Sequence, residues 1–200
     1  NYTAGIRTNY WDFNNELFIS PRLIIGYKPA WKKDFIFSGS IGSYNQSPFF
    51  REMRNKYGEI NENIKSQKSI HYVLSSDYQF NMWGRPFKFN ASIYYKYLWD
   101  LIPYEINNLQ INYLTNDIAK GYATGLDLKL FGEFVPGVDS WFSMSLLSTQ
   151  EDILGDEHGF IPKPTDQRLK CSIFFQDYLP GNPNYKMHLS MMYGTGLSFG

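Results

Sequence analysis

Three histidines, one cysteine and one acidic loop are the places where this 200-residue chain could carry side-chain chemistry. A nucleophilic or general-base site needs a hydroxyl or thiol beside a base that a third group orients. His71 and His188 lie in separate alternating stretches and His158 in a polar segment, and no Ser/His/Asp order or paired-carboxylate spacing stands out around them. His71 and His188 therefore read as polar residues facing inward from two strands. Glu151, Asp152, Asp156, Glu157 and His158 offer the oxygen ligands a hard cation takes. Their spacing is not that of an EF-hand loop, so the segment reads as solvated and external. Cys171 has no partner for an internal disulfide, and no CxxC or paired-His metal spacing occurs. Asn90-Ala91-Ser92 fits a glycosylation sequon but falls in mid-strand, and Gly194-Thr195-Gly196 reads as a flexible exit rather than a phosphate loop. The expectation is a protein that is not an enzyme, with no catalytic residue, no metal and no cofactor.

Composition points the same way. Nineteen basic and nineteen acidic residues leave a formal net charge of zero. That removes the electrostatic case for nucleic-acid binding, which needs a basic face to neutralise phosphates. Charged residues make up only 19% and aromatics 18% of the chain. No run reaches the roughly 18 apolar residues of a spanning helix.

The elements that must position these groups are strands. Phe87, Phe89, Ala91, Ile93, Tyr95, Tyr97 and Trp99 fall on one side of a period-two pattern; Lys88, Asn90, Ser92, Tyr94, Lys96 and Asp100 fall on the other. Nine such stretches are predicted, at about 2–11, 16–27, 35–45, 68–80, 87–102, 119–132, 140–150, 168–177 and 186–194. Outward residues include Leu17, Ile19, Leu23 and Ile25; Tyr72 and Leu74; Leu126 and Leu128; Phe142, Met144 and Leu146; and Cys171 and Ile173. An aromatic-rich greasy face opposite a wet one is the pattern of a strand between lipid and a polar interior.

Connections alternate in length. Segments 28–34, 81–86, 133–139 and 178–185 are short and rich in Pro, Gly and Asn, which is turn chemistry. Segments 46–67, 103–118 and 151–167 are long and polar, whereas 11–15 is short. Short turns at one end and long loops at the other match the two ends of an outer-membrane barrel. A soluble β-sandwich also alternates, but its strands average about 5–6 residues, and loops this long are uncommon in compact soluble domains. Tyr27, Trp31, Trp83, Phe134, Trp141, Tyr178 and Tyr185 near the turns, and Tyr10, Trp11, Tyr44 and Trp99 near the loops, read as aromatic girdles at two interfaces.

Specific residues resemble the TonB-dependent outer-membrane receptors. Gly5-Ile6-Arg7 with Ser20-Pro21-Arg22 is similar to the paired "GxR … SPR" strands of that family, and Ser47-Pro48-Phe49-Phe50-Arg51-Glu52 to its "P…E" strand-to-loop segment. Residues 64–70 stand where the family often has "NPxLKPE", here without the prolines and the Glu. Tyr94-Tyr95-Lys96 with Asp100-Leu101-Ile102, and Gly121 to Asp127, resemble its aromatic and "A-x-G-x-E/D" strands. Lys129 to Gly137 with Asp139-Ser140-Trp141, Pro162 to Arg168, and Phe175 to Gly181 resemble a version associated with Bacteroidetes receptors. The resemblance runs over essentially all 200 residues.

It implies an all-β fold: a transmembrane antiparallel up-and-down barrel, of which residues 1–200 supply about nine strands of twenty-two. The chain then reads as one partial barrel domain of a longer protein, without the plug domain and the remaining strands. The implied location is the outer membrane of a Gram-negative bacterium. The implied partners are outer-membrane lipid, the protein's own plug domain, a TonB-type energy-transducing protein and a surface lipoprotein. The implied function is energised uptake of a scarce nutrient: a ferric siderophore, haem, cobalamin, a glycan or a peptide. A structural or assembly barrel paired with a surface lipoprotein, or a passive porin, is the alternative. Under the transport reading, Phe49, Phe50, Arg51, Arg54 and Tyr57 in the first long loop, with Tyr104 and Tyr113 in the second, are the ligand-capture candidates, through stacking and charge. Arg7, Arg22, Lys96, Asp127 and Lys129 are expected to face the lumen and the plug.

Overall fold

The computed structural model describes residues 1–55, 57–107, 110–116 and 118–197. Every regular element among them is a strand: β1 (Tyr2–Trp11), β2 (Glu16–Tyr27), β3 (Asp34–Gln46), β4 (Gln67–Met82), β5 (Arg85–Leu101), β6 (Tyr104–Asn107), β7 (Gln110–Tyr113), β8 (Ala119–Val135), β9 (Val138–Ile153), β10 (Ile161–Pro162), β11 (Leu169–Leu179) and β12 (Asn182–Gly194). The nine predicted stretches are β1–β5, β8, β9, β11 and β12. They form one antiparallel sheet in chain order, β1-β2-β3-β4-β5-β8-β9-β11-β12. The sheet is open, with β1 and β12 as its two edges, and is not closed into a barrel. Because all nine strands share one sheet, no second layer of strands covers either face, which excludes the two-layer sandwich for the described residues.

The register carries the sequence alternation across the sheet. Directly opposed residues share a face. Ile93 of β5 lies opposite Leu74 of β4 and Leu126 of β8, and Leu126 lies opposite Leu146 of β9. Leu146 pairs with Leu169, and Ile173 with Met191, so the same apolar face continues to β12. In the other direction Tyr72 pairs with Ile41, Ile41 with Leu23, and Leu23 with Ala4. This apolar face is uncovered: Leu74 is 61% exposed, Ile93 53% and Leu189 54%. The opposite face is polar in mid-strand, with cross-strand rows such as Ser38–Ser75–Ser92–Asp127–Ser145 and Asp77–Asn90–Lys129–Ser143.

The turn end is built tightly. Trp83 (φ 56°) and Gly84 (φ 72°) form a two-residue turn with both central residues left-handed. That twist matches the strands, and β4 and β5 stay in register from Met82↔Arg85 onward. Pro136-Gly137 (φ 77° at the glycine) and Pro180-Gly181 (φ 80°) have instead the signature of type II turns. Type II turns splay a hairpin, and here each adjoins a register shift in the strand that enters it, at Gly132/Val135 and at Tyr178/Leu179.

On the apolar face beside these turns an aromatic cluster forms. Phe35 stacks on Tyr78 at 4.2 Å, Tyr78 on Phe80 at 5.0 Å, and Trp83 meets the Phe87 edge at 5.9 Å. Four aromatics assigned to the girdles lie elsewhere. Trp11, Tyr44, Trp141 and Tyr178 fall on the polar face by register. Sequence position near a strand end does not fix the face; parity does.

Gly132 shows why this cluster fits. Phe87 is 3% exposed and lies over Gly132, its cross-strand partner; a β-carbon there would meet the ring, with Cγ at 2.7 Å. Gly132→Ala should therefore displace Phe87 from its contacts with Phe80, Trp83 and Phe134 and cost about 1–3 kcal/mol. Urea unfolding of the protein reads this; an unchanged midpoint would show that the ring moves freely.

Candidate functional site

At the loop end the connections fold onto one another. Met53 and Ile64 of the segment 47–66 and Ile102 are buried together, with Trp11 and Tyr113 packed against them. Ile64 is fully buried. Polar groups tie the same segments. Asn14 Nδ2 donates to the Ile64 carbonyl at 3.0 Å, the Ser66 amide donates to Glu16 Oε2 at 3.0 Å, and Asn61 Nδ2 donates to the Thr115 carbonyl at 2.7 Å. Lys68 bridges the Glu16 and Asp100 carboxylates at 3.5 and 2.8 Å. The loops are thus a satellite core seated on the strand ends, not free chains.

The tip of the first long loop is shaped by its own side chains. Asn55 Oδ1 accepts from the Tyr57 and Glu59 amides at 2.9 and 3.0 Å, the side-chain turn that Asn makes readily. Glu52 Oε2 accepts from the Phe49 amide at 2.8 Å. These bonds hold Phe49, Phe50 and Tyr57 outward, at 61, 57 and 76% exposure. Arg51 and Arg54 are also exposed. The Arg54 guanidinium lies 4.6 Å over the Phe50 ring. Five of the seven capture candidates therefore sit on one solvent-facing loop.

Tyr104 and Tyr113 do not join them. They face each other across the β6–β7 hairpin, with ring centroids 5.9 Å apart, and Tyr113 packs on the satellite core. Burial pushes the Tyr104 phenol above the ordinary tyrosine value, and the nearby Glu151 carboxylate and Tyr113 add to that. Glu151 is itself buried and ion-paired with Lys163 at 3.0 Å. These two tyrosines hold loop to loop.

Arg7, Arg22, Lys96, Asp127 and Lys129 all fall on the polar face by register. Arg7 Nε donates to Asn9 Oδ1 at 3.3 Å. Arg22 lies 4.6 Å over Tyr44, whose ring stacks on His71 at 4.3 Å. Lys96 sits over Tyr94, and Lys129 over Trp141. The linking residues Asn14, Glu16, Asn61 and Ser66 were not singled out in the sequence: Asn and Ser in polar segments carry no pattern that marks them as ties. His71 and His188 lie on the polar face as expected from parity.

Among the described residues no three His, Cys, Asp or Glu side chains come together as a metal-binding set. The acidic segment divides instead. Asp152 pairs with Lys120 at 3.1 Å and Glu151 with Lys163, while Asp156 accepts from the His158 amide at 3.0 Å. No helix is long and apolar enough to cross a membrane, which says nothing of strands. Comparison with known family models, curated proteins and solved structures finds no match to this chain.

Proposed function

We propose that this chain is part of the wall of a TonB-dependent outer-membrane transporter, with its apolar face on lipid and its polar face on the interior. The carrying observation is the single-layer sheet whose apolar face runs uncovered across all nine long strands. Along β5 that face extends from Phe87 to Trp99, twelve steps of about 3.3 Å, or about 40 Å. At the roughly 45° tilt of spanning strands this is about 28 Å, close to the hydrocarbon thickness of about 30 Å. The two-residue turns at one end and the folded loops at the other agree with periplasmic and external ends.

Transport itself rests on the sequence resemblance and on the loop tip. Phe49, Phe50, Arg51, Arg54 and Tyr57 present stacking and cationic groups away from the strands, where an external ligand arrives. Phe50→Ala with Arg54→Ala should raise the half-saturating concentration for uptake about tenfold, the effect of losing roughly 1–2 kcal/mol of contact, with the maximal rate retained.

The test is uptake in cells carrying the full-length protein, offered ferric siderophores, haem, cobalamin, glycans or peptides one at a time. Uptake of one of them should vanish both when the protein is deleted and when the TonB-type energiser is removed. Uptake that survives loss of the energiser indicates a passive pore. A deletion that leaves uptake intact but strips a lipoprotein from the surface indicates an assembly barrel.

A further inference from the structure

In the middle of the sheet the apolar face bears a groove of about 710 Å³ across β4, β5, β8 and β9. Two cross-strand rows line it. Leu74, Ile93, Leu126 and Leu146 form the first, and all four are aliphatic. Tyr72, Tyr95, Thr124 and Ser148 form the next row toward the loops, and every one carries a hydroxyl. Three inter-strand steps of about 4.8 Å make each row about 14 Å long. An apolar wall beside a line of hydrogen-bonding groups is the lining of a site for an amphipathic ligand.

Arg168 closes the groove at its β9 end. Parity alone would send this residue to the polar face, because Leu169 takes the apolar one. The ladder is interrupted at that point. β11 pairs with β9 only as far as Leu146, and beyond it Asp166 Oδ1 accepts from the Thr149 amide at 2.8 Å. The Arg168 guanidinium turns instead to the apolar side, where Nη1 donates to Ser148 Oγ at 3.2 Å. Asp166 Oδ2 lies 2.6 Å from Nε, with its side chain wholly buried and that of Arg168 53% exposed. The buried carboxylate therefore fixes the guanidinium from behind. Of its five N–H donors, three are left without an acceptor among the described residues.

On a surface facing hydrocarbon this placement needs an explanation, because lipid tails offer no acceptor. Lys68 and Lys120 share the apolar face by register, but both stand at strand ends and pair there with carboxylates. We infer that the groove holds one molecule of an anionic phospholipid, its phosphate on Arg168 and Ser148 and its acyl chain along Leu74, Ile93, Leu126 and Leu146. The inference rests on the proposed reading of the apolar face as lipid-facing, and adds a fixed lipid to a surface that is otherwise unselective. A guanidinium meets phosphate through two parallel charge-assisted hydrogen bonds, which a loose lysine does not reproduce. The hydroxyl row meets the polar part of the lipid between phosphate and chain.

The test is native mass spectrometry of the protein released from detergent after incubation with dioleoylphosphatidylglycerol, dioleoylglycerol or glycerol phosphate. One dioleoylphosphatidylglycerol per chain should be retained, and neither of the others. Arg168→Gln should weaken retention about tenfold, the effect of one lost charge-assisted hydrogen bond. Leu126→Trp leaves Arg168 in place and fills the groove, and should weaken it as much. Dioleoylglycerol held as well as the phospholipid would overturn the inference, as would glycerol phosphate bound without chains, or full retention by either variant. A lipid-borne photoprobe in vesicles reads the underlying assignment separately, at Ile19 and Leu189 on the same face but on other strands. Labelling there upholds the lipid-facing reading even when no phospholipid is retained in the groove. No labelling at either residue removes that reading, and this inference with it.

Discussion

Replacing Ile93 by arginine is expected, under the proposed reading of the apolar face as lipid-facing, to destabilise the protein in a bilayer by about 2–4 kcal/mol, the cost of a cation near the midplane. Ser92→Arg, one residue earlier, is expected to stay within about 0.5 kcal/mol, as a surface change on the polar side. Ile93 sits mid-strand between Leu74 and Leu126, and its exposed side chain has no cover from any described part of the chain. On the proposed lipid-facing side, an arginine there must bring a cation into hydrocarbon or bend away from it. Ser92 faces Ser75 and Asp127, where an added cation meets a carboxylate that has no cation of its own. Reversible guanidinium unfolding of the full-length protein in vesicles measures both. Equal effects, or a larger effect at Ser92, would remove the assignment of the two faces. The contrast is sharper than either value alone, because both substitutions share the same strand and depth.

Truncating Ile64 to alanine is expected to loosen the long loops without unfolding the sheet. A fully buried isoleucine reduced to alanine typically costs about 2–5 kcal/mol, and Ile64 is the centre of the small cluster with Met53 and Ile102. That cluster, with the bonds from Asn14, Glu16 and Asn61, is what seats the segment 47–66 on its neighbours. Limited proteolysis should then cleave near the tip around Gly58 much faster, while the strands of the long sheet remain protected. Protection of both, or loss of both together, would show that loop and sheet are a single cooperative unit.

The sheet was legible because parity is a strong signal. Most of the nine strands keep apolar residues at alternate positions through their middle, with β3 and β9 interrupted by residues such as Gly39, Ser43, Ser140 and Ser148, and one slip would invert a whole strand, so the pattern and the register enforce each other. The strand ends were less legible. β8 runs to Val135 and β9 begins at Val138, beyond the expected ends, because Glu133 and Phe134 continue the extended chain into a bulge. The β6–β7 hairpin was read as loop, although Tyr104-Glu105-Ile106 and Gln110-Ile111-Asn112 both alternate; four residues are too few for periodicity to stand out from a polar segment. At the site, exposure followed residue type at Phe49, Phe50 and Tyr57. It failed at Tyr113, since only the fold reveals that Met53, Ile64 and Ile102 gather beneath it. The polar face was visible residue by residue, but which of its groups meet across strands required the register.

The sequential strand order also dictates an order of assembly. Every pairing among the nine long strands joins one long strand to the next in the chain, with only the short β6, β7 and β10 intervening, so the sheet can grow hairpin by hairpin with no long strand waiting for a distant partner. The hairpins β4–β5, β8–β9 and β11–β12 close across two residues each, whereas β3–β4, β5–β8 and β9–β11 must first bring together ends separated by long loops. Closing a loop costs about 0.6 kcal/mol for each doubling of its length, so three doublings make the long closures about 2 kcal/mol harder. The three tight hairpins should form first, as preassembled staves. Their joining across the long connections then sets the pace at which the wall is laid down.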